Sequence, residues 1–442
     1  MFTFLRLKNF KSFKSIYLDL RKNQKQAKPF IALYGENGSG KTNLLSAFDL
    51  LMKSFTSFSN QEMLESFSKY QPDSESDFFE ELKAMFDNLR FSECMKSARM
   101  IGCDEDTEVE YGFLIGEVEG TYKIVFNEIL VSEELYYLIE KRRGILFKIY
   151  LDNGKIEKNI HKSVFSNKKL EDEVLTEIDK YWGKHSFLGI FKEKLQDLNE
   201  EFIKKSVSPT LLDVFFNFRN SNLIIKSSEY HEEGYVARDD KFGLANLVSG
   251  RINENMMDRL EKSQHIFDYY IRFIHSDVKQ VFYKTEASGD KIKYQLYFKK
   301  LIGGKVREIP FSLESTGTKR MPQIIRAILA AVDGKTVIFD EIDTGVHDML
   351  MENIITSAQD YIKGQMIITT HNTMLLEKLD PSSVYVIYMD ADANKEIRCL
   401  TDYDYRIRES NNVRDLYIKG IFGGIPFSDY IDFSSFNEEK ES

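Results

Sequence analysis

Proline is scarce in this chain, 7 residues of 442, and low-complexity sequence is confined to the closing Glu438-Glu439-Lys440-Glu441. Proline-rich, collagen-like and extensively disordered architectures are therefore excluded, and most of the chain is expected to fold. Cysteine is scarcer still. Cys94, Cys103 and Cys399 are odd in number and show no C-x-x-C spacing, so neither a disulfide framework nor a thiolate zinc site is indicated. No apolar run reaches the ~18 residues of a membrane helix, and the opening residues Met1 to Arg6 lack the apolar core of a secretory leader. A soluble, cytoplasmic protein is expected. Positive charge is also in deficit: 60 basic against 70 acidic residues give −10, which argues against a broad basic surface for nucleic acid. One stretch runs the other way, with Arg6, Lys8, Lys11, Lys14, Arg21, Lys22, Lys25 and Lys28 offset locally only by Asp19. It reads as a solvated strand face and loop ahead of a DNA-facing edge. The single tryptophan, Trp182, reads as a packing anchor. No Ser/His/Asp or Cys/His set has the spacing of a nucleophilic site.

What is present begins with Gly35-Glu36-Asn37-Gly38-Ser39-Gly40-Lys41-Thr42, which fits G-x-x-x-x-G-K-[ST] at every fixed position. The apolar run Phe30 to Tyr34 before it predicts a buried strand, and Asn43 to Phe48 after it opens a helical pattern. In that context the glycines let backbone N–H groups curl around phosphate oxygens, and the helix N-terminus adds partial positive charge. Lys41 is expected on the β- and γ-phosphates of a nucleoside triphosphate, and the Thr42 hydroxyl on Mg²⁺. Gly35, Asn37, Gly38, Ser39 and Gly40 complete the expected phosphate cradle.

The rest of the chain has a legible order. Residues 2–20 alternate as two strands, 43–100 read as helices, and 108–165 as a strand-rich meander with a strong turn at Asp152-Asn153-Gly154. From 166 to 285 the pattern is helical, including Lys169 to Trp182, Lys192 to Lys205 and Arg259 to Tyr270. A strand pair follows around Ile302-Gly303-Gly304. The division expected is 1–165, a helical insertion at 166–285, and 286–442.

A second cluster of motifs lies in that last part. Thr336 to Phe339 is a short β-forming run ending in Asp340-Glu341. Asp340 is placed to hold Mg²⁺ and Glu341 to polarise the attacking water. About 30 residues on, one strand–helix–strand step, Gly364 to His371 is a further buried strand, whose closing His371 occupies the position of a γ-phosphate sensor. Upstream, Ser315-Thr316-Gly317 opens a helix closed by Gly334, with Pro322 expected in its first turn. A hydroxyl, free N–H groups and a helix dipole make a small anion-binding device, although a plain N-cap would look the same. Asp390-Ala391-Asp392-Ala393-Asn394 invites a nuclease reading, but it reads better as a polar hairpin turn.

The order phosphate loop, Ser-x-Gly helix, Asp-Glu strand, His strand resembles the ABC-type ATPase head. With about 270 residues between Thr42 and Ser315, and Leu7-Lys8-Asn9-Phe10-Lys11-Ser12-Phe13 at the start, it is similar to the RecF/SMC branch. The resemblance implies an α/β P-loop NTPase of ABC-ATPase head type, with an antiparallel β subdomain and a helical insertion. It also implies that Ser315 and Gly317 reach the γ-phosphate held by a second subunit, so that a homodimer or higher oligomer sandwiches ATP. Ser132 to Tyr136, Lys141 to Arg143, Glu314 to Arg320 and Leu416 to Pro426 further resemble the AAA family ATPases of bacterial phage-defence and abortive-infection operons. That implies a nucleotide-gated sensor working with a separately encoded effector. A DNA-maintenance ATPase and an ATP-locked scaffold with negligible turnover are the alternatives. The glutamine that such heads place near the metal is not assigned, since Gln61 and Gln71 lie in the wrong context.

Overall fold

The computed structural model describes residues 1–68, 90–226, 232–235, 242–244, 246–390, 392–405, 407–408 and 411–425. Gln71, Pro426 and the closing acidic run lie outside them, as does the side chain of Gln61. Its centre is a seven-stranded sheet ordered Glu232–Tyr235, Ser221–Lys226, Thr336–Phe339, Gln365–Thr369, Phe30–Gly35, Val384–Met389 and Lys395–Cys399. The five inner strands run parallel and the two edges antiparallel. A parallel sheet needs cover on both faces, and the period of two along each strand supplies it. Ile31, Leu33, Ile338, Ile367, Tyr385 and Ile387 face one core. Phe30, Ala32, Tyr34, Val337, Phe339, Met366, Ile368, Val384 and Val386 face the other.

The first core is shared with the helix Lys41–Ser68, the helices between 168 and 219, and a second seven-stranded sheet, wholly antiparallel, built from 2–19 and 107–160. Gln365, fully buried, ties the two sheets. Its amide accepts from Phe2 N at 2.7 Å and donates to Phe2 O at 2.8 Å and Lys28 O at 3.1 Å. Trp182 anchors the same layer: its ring N–H donates to the buried Glu133 carboxylate at 2.8 Å, which also accepts from Phe187 N and Tyr122 OH. The second core holds the helices Met257–Ile274, Thr316–Val332 and Asp348–Gln359 and a small four-stranded sheet from 249–310.

The helical reading of 166–285 is corrected in part. Lys168–Tyr181 and Met257–Ile274 are the expected helices, but Lys192 to Lys205 divides into Phe187–Gln196 and Glu200–Ser206. Ser221–Lys226 is an inner strand of the central sheet, in parallel register with Thr336–Phe339. Ser249–Ile252 and Val278–Ser288 are strands as well. Leu130–Ile139, not expected as a separate strand, lies between Val118–Phe126 and Arg142–Asp152. Pro322 sits in the second turn of Thr316–Val332, one turn further in than predicted.

Candidate functional site

The buried strand Phe30–Gly35 delivers the glycine loop to the carboxyl edge of the parallel sheet, and Lys41 begins the helix that follows. This is the edge at which open α/β sheets take ligands, and a helix N-terminus there favours an anion. Lys41 is 6% exposed and donates its ammonium to Gly35 O at 2.8 Å and Glu36 O at 3.0 Å. Burial pulls its pKa down, opposed by Glu341, Asp340, Asp343 and Glu36. The Ser39 hydroxyl is buried with no partner among the described residues, an orphaned donor inside the cradle that an anion would satisfy. Gly40 has φ +105°, and a Cβ there would lie 2.8 Å from the Phe13 ring, so only glycine lets the turn Lys11-Ser12-Phe13 close on the loop. Ser12 accepts from Asn43 Nδ2 at 2.9 Å, which seats the N-terminal strand motif against the helix start.

Next to the loop strand stand Gln365–Thr369 and then Thr336–Phe339, and their ends bring the acidic residues to Thr42. Asp340, 1% exposed, accepts from the Thr42 hydroxyl at 2.8 Å through Oδ2 and from the Thr369 hydroxyl at 2.6 Å through Oδ1. The Thr369 hydroxyl also accepts from Glu341 N at 2.6 Å. Glu341 adopts φ +45°, a left-handed conformation costly for a residue with a side chain. It is braced at both ends of its peptide, by Thr369 and by Arg320 Nη1, which donates to Glu341 O at 2.9 Å and Thr344 O at 3.0 Å. The Thr344 hydroxyl donates to Glu341 Oε2 at 3.0 Å. Thr42 and Asp340 supply the neutral and anionic oxygens that suit Mg²⁺, a cation that usually keeps water and substrate phosphate in its other positions. The residues fit that metal.

His371 follows the same strand as Thr369. Its backbone N–H donates to Asp343 Oδ2 at 3.1 Å, and its imidazole pKa is lowered by partial burial first and by Lys41 second. Lys41, Thr42, Asp340, Glu341 and His371 are thus gathered at one edge of the sheet. Ser315 and Gly317 stand at the start of the helix Thr316–Val332, whose Arg320 reaches the Glu341 peptide. Ser315 caps its helix, accepting from Thr318 N at 3.2 Å, and is exposed. A Cβ on Gly317 would lie 2.2 Å from Gly345 O, so close packing on the segment after Glu341 requires glycine there.

Thr369 and Arg320, which hold both carboxylate residues, were not singled out from the sequence. A threonine in a buried strand reads as an ordinary β-former, and Arg320 reads as a surface cation until its 8% exposure is seen. The C-terminal glycines acquire a physical reason. Gly424, at φ +68°, lies against the loop strand, where a Cβ would stand 2.3 Å from Val386 and 3.4 Å from Gly35 Cα. Tyr417 fixes that contact by donating to Gly424 O at 2.9 Å and meeting the Tyr34 ring edge-on at 5.7 Å. The basic N-terminal stretch is not offset by Asp19 alone. Arg6 pairs with Glu110, Lys8 with Glu105 and Glu108, Arg21 with Glu119, and Lys25 with Glu117. Asp390 closes a hairpin turn, accepting from Asp392 N and Asn394 N.

No described helix is long and apolar enough to cross a membrane. The chain is similar in fold to solved SMC heads. One is the SMC head bound to the C-winged helix domain of ScpA, at 15% identity and TM-score 0.44, over 90% of this chain and 96% of that one. Another is the SMC head domain from Thermotoga maritima, at 15% identity and TM-score 0.36, over 90% and 98%. A third is the SMC head with an extended coiled coil bound to the C-terminal domain of ScpA, from Pyrococcus furiosus, at 14% identity and TM-score 0.41, over 90% and 95%. No curated protein matches the chain. The family model for the AAA ATPase domain matches residues 1–376, which takes in the glycine loop, the acidic strand end and His371, and the chain belongs to that family.

Proposed function

We propose that this chain binds Mg-ATP and hydrolyses it, with Glu341 polarising the attacking water. The observation that carries the reading is the hydrogen-bonded line Thr42–Asp340–Thr369–Glu341, which links the phosphate loop to both acidic residues. Lys41 exchanges its carbonyl partners for the β- and γ-phosphates, a stronger, charge-assisted pairing. Glu341, left-handed in its backbone, keeps its carboxylate on the Thr344 hydroxyl, while Asp340, one residue earlier, stays buried on Thr42. Thr42 and Asp340 would hold Mg²⁺, which would supply neutralisation of charge on the phosphate oxygens. His371, neutral at pH 7 by the direction of its shift, accepts or donates one hydrogen bond at the γ-phosphate side.

The exposed Ser-x-Gly helix start at Ser315 supports a nucleotide shared between two copies, each contributing that helix start to the other's phosphates. The output is then the difference between a clamped and an open dimer. The resemblance carried by Glu314 to Arg320 and Leu416 to Pro426 supports a cytoplasmic antiphage sensor that gates a separately encoded effector. The ion pairs along the N-terminal basic stretch weigh against DNA maintenance, since those cations already have carboxylate partners. The test is steady-state ATP hydrolysis with and without double-stranded DNA, with Lys41→Ala as the blank. DNA-indifferent turnover that vanishes in the variant supports this reading. Strong DNA stimulation replaces it with the maintenance role, and turnover unchanged in Lys41→Ala removes the phosphate site.

A further inference from the structure

The strand Val384–Met389 pairs in parallel with the loop strand, Ile387 opposite Gly35, and runs two residues beyond that level before turning. Its return strand therefore begins beside the phosphate loop. Lys395, the first residue of that strand, donates its ammonium to Gly38 O at 2.9 Å, across 357 residues of chain. It also stands 5.7 Å from the centre of the Phe13 ring and 3.3 Å from where a Gly40 Cβ would be. The turn that presents it is self-contained: Asp390 spends its carboxylate on the N–H groups of Asp392 and Asn394 and on the Asn394 amide. The loop thus carries an ammonium at each shoulder, Lys41 on the carbonyls of Gly35 and Glu36, and Lys395 on that of Gly38. Ordering a long side chain on one neutral carbonyl gains little. A phosphate oxygen is the stronger acceptor for the same group.

We propose that Lys395 is a second nucleotide-binding lysine, which leaves Gly38 O for the α/β-phosphate oxygens when a nucleoside di- or triphosphate enters the loop. The division follows from position. Lys41 reaches the β/γ side, whereas Lys395 lies at the opposite shoulder with Phe13 and Gly40, against the turn that Asn43 fixes. The burial that lowers the Lys395 pKa, opposed only by Glu36, is consistent with a cation placed to receive more negative charge. The proposal rests on the phosphate-site reading above.

The test is equilibrium titration of the full chain with Mg-ATP and Mg-ADP, for wild type and Lys395→Ala, →Arg and →Gln, each checked for an unchanged thermal melt. Loss of a charge-assisted contact predicts that Lys395→Ala weakens ATP and ADP together by about tenfold or more. Lys395→Arg should recover most of that loss, and Lys395→Gln should not. Equal affinity in Lys395→Ala overturns the proposal. So does full recovery in Lys395→Gln, which keeps an N–H donor for Gly38 O and would mark the lysine as a loop latch. A wild-type chain that binds neither nucleotide overturns the phosphate-site reading itself, an outcome visible before any variant is compared.

Discussion

Glu341 is the residue on which the proposed chemistry turns, and the two side chains that hold it are the ones least visible in the sequence. Thr369 serves Asp340 and Glu341 with one hydroxyl. Thr369→Val keeps the shape, strands a buried carboxylate oxygen and releases one brace of a left-handed peptide. A loss of about 1–3 kcal/mol in stability is expected, read as a lower melting temperature, with turnover reduced about tenfold or more. Thr369→Ser should restore both. His371 gives a pH prediction with a definite sign. Its folded pKa lies below the ordinary value of 6.5, so protonation is disfavoured in the folded chain and sets in at a lower pH than for a free imidazole. Hydrolysis should decline only at that lower pH, and His371→Gln should lack that acid limb in a pH–rate profile. That Lys41, Thr42, Asp340 and Glu341 would end near one another was legible from the strand–loop–helix around the glycine loop and from the β-forming run that ends in Asp340-Glu341. Thr369 was not, because nothing in a β-forming run tells a structural hydroxyl from one that braces a site.

At the scale of elements, the same contrast follows from burial patterns. The parallel strands ending at Gly35, Phe339 and Thr369 are continuous apolar runs and were readable as such. Ser221–Lys226 has only Leu223 to Ile225 as an apolar centre, and it follows the helix Pro209–Arg219 within two residues, so that it passes for its continuation. Leu130–Ile139 was hidden by a charge on its buried face: Glu133, with Tyr122, Trp182 and Phe187 donating to it, breaks the apolar alternation. The C-terminal segment shows how a motif without evident chemistry can still be required by the site. Gly424 lies against Gly35 and Val386, so Gly424→Ala adds a methyl group at 2.3 Å from Val386 on a backbone of positive φ. A cost of about 1–3 kcal/mol is expected, together with weaker ATP binding, measured by thermal melting and nucleotide titration.

For the whole molecule, the exposed Ser-x-Gly helix start at Ser315 sets the main question. If two copies share each nucleotide, Ser315→Arg should bind ATP normally and fail to hydrolyse it, while Lys41→Ala should fail to bind. Mixing the two inactive variants places one intact loop opposite one intact Ser-x-Gly turn in a fraction of dimers, and part of the activity should return. No recovery at any mixing ratio would argue for hydrolysis within a single chain. The head architecture itself was legible from motif order. The participation of residues 221–226 in the central sheet was not, since it depends on a parallel pairing with a strand more than a hundred residues away.

The central claim is that Glu341 acts in hydrolysis and not in holding the nucleotide. It is tested most directly by single-turnover hydrolysis and equilibrium ATP binding, measured side by side for wild type and Glu341→Gln at saturating Mg²⁺. The expected result is near-equal ATP affinity with hydrolysis slowed by about a hundredfold or more, the scale of losing a positioned general base. Hydrolysis at the wild-type rate in Glu341→Gln would contradict the account.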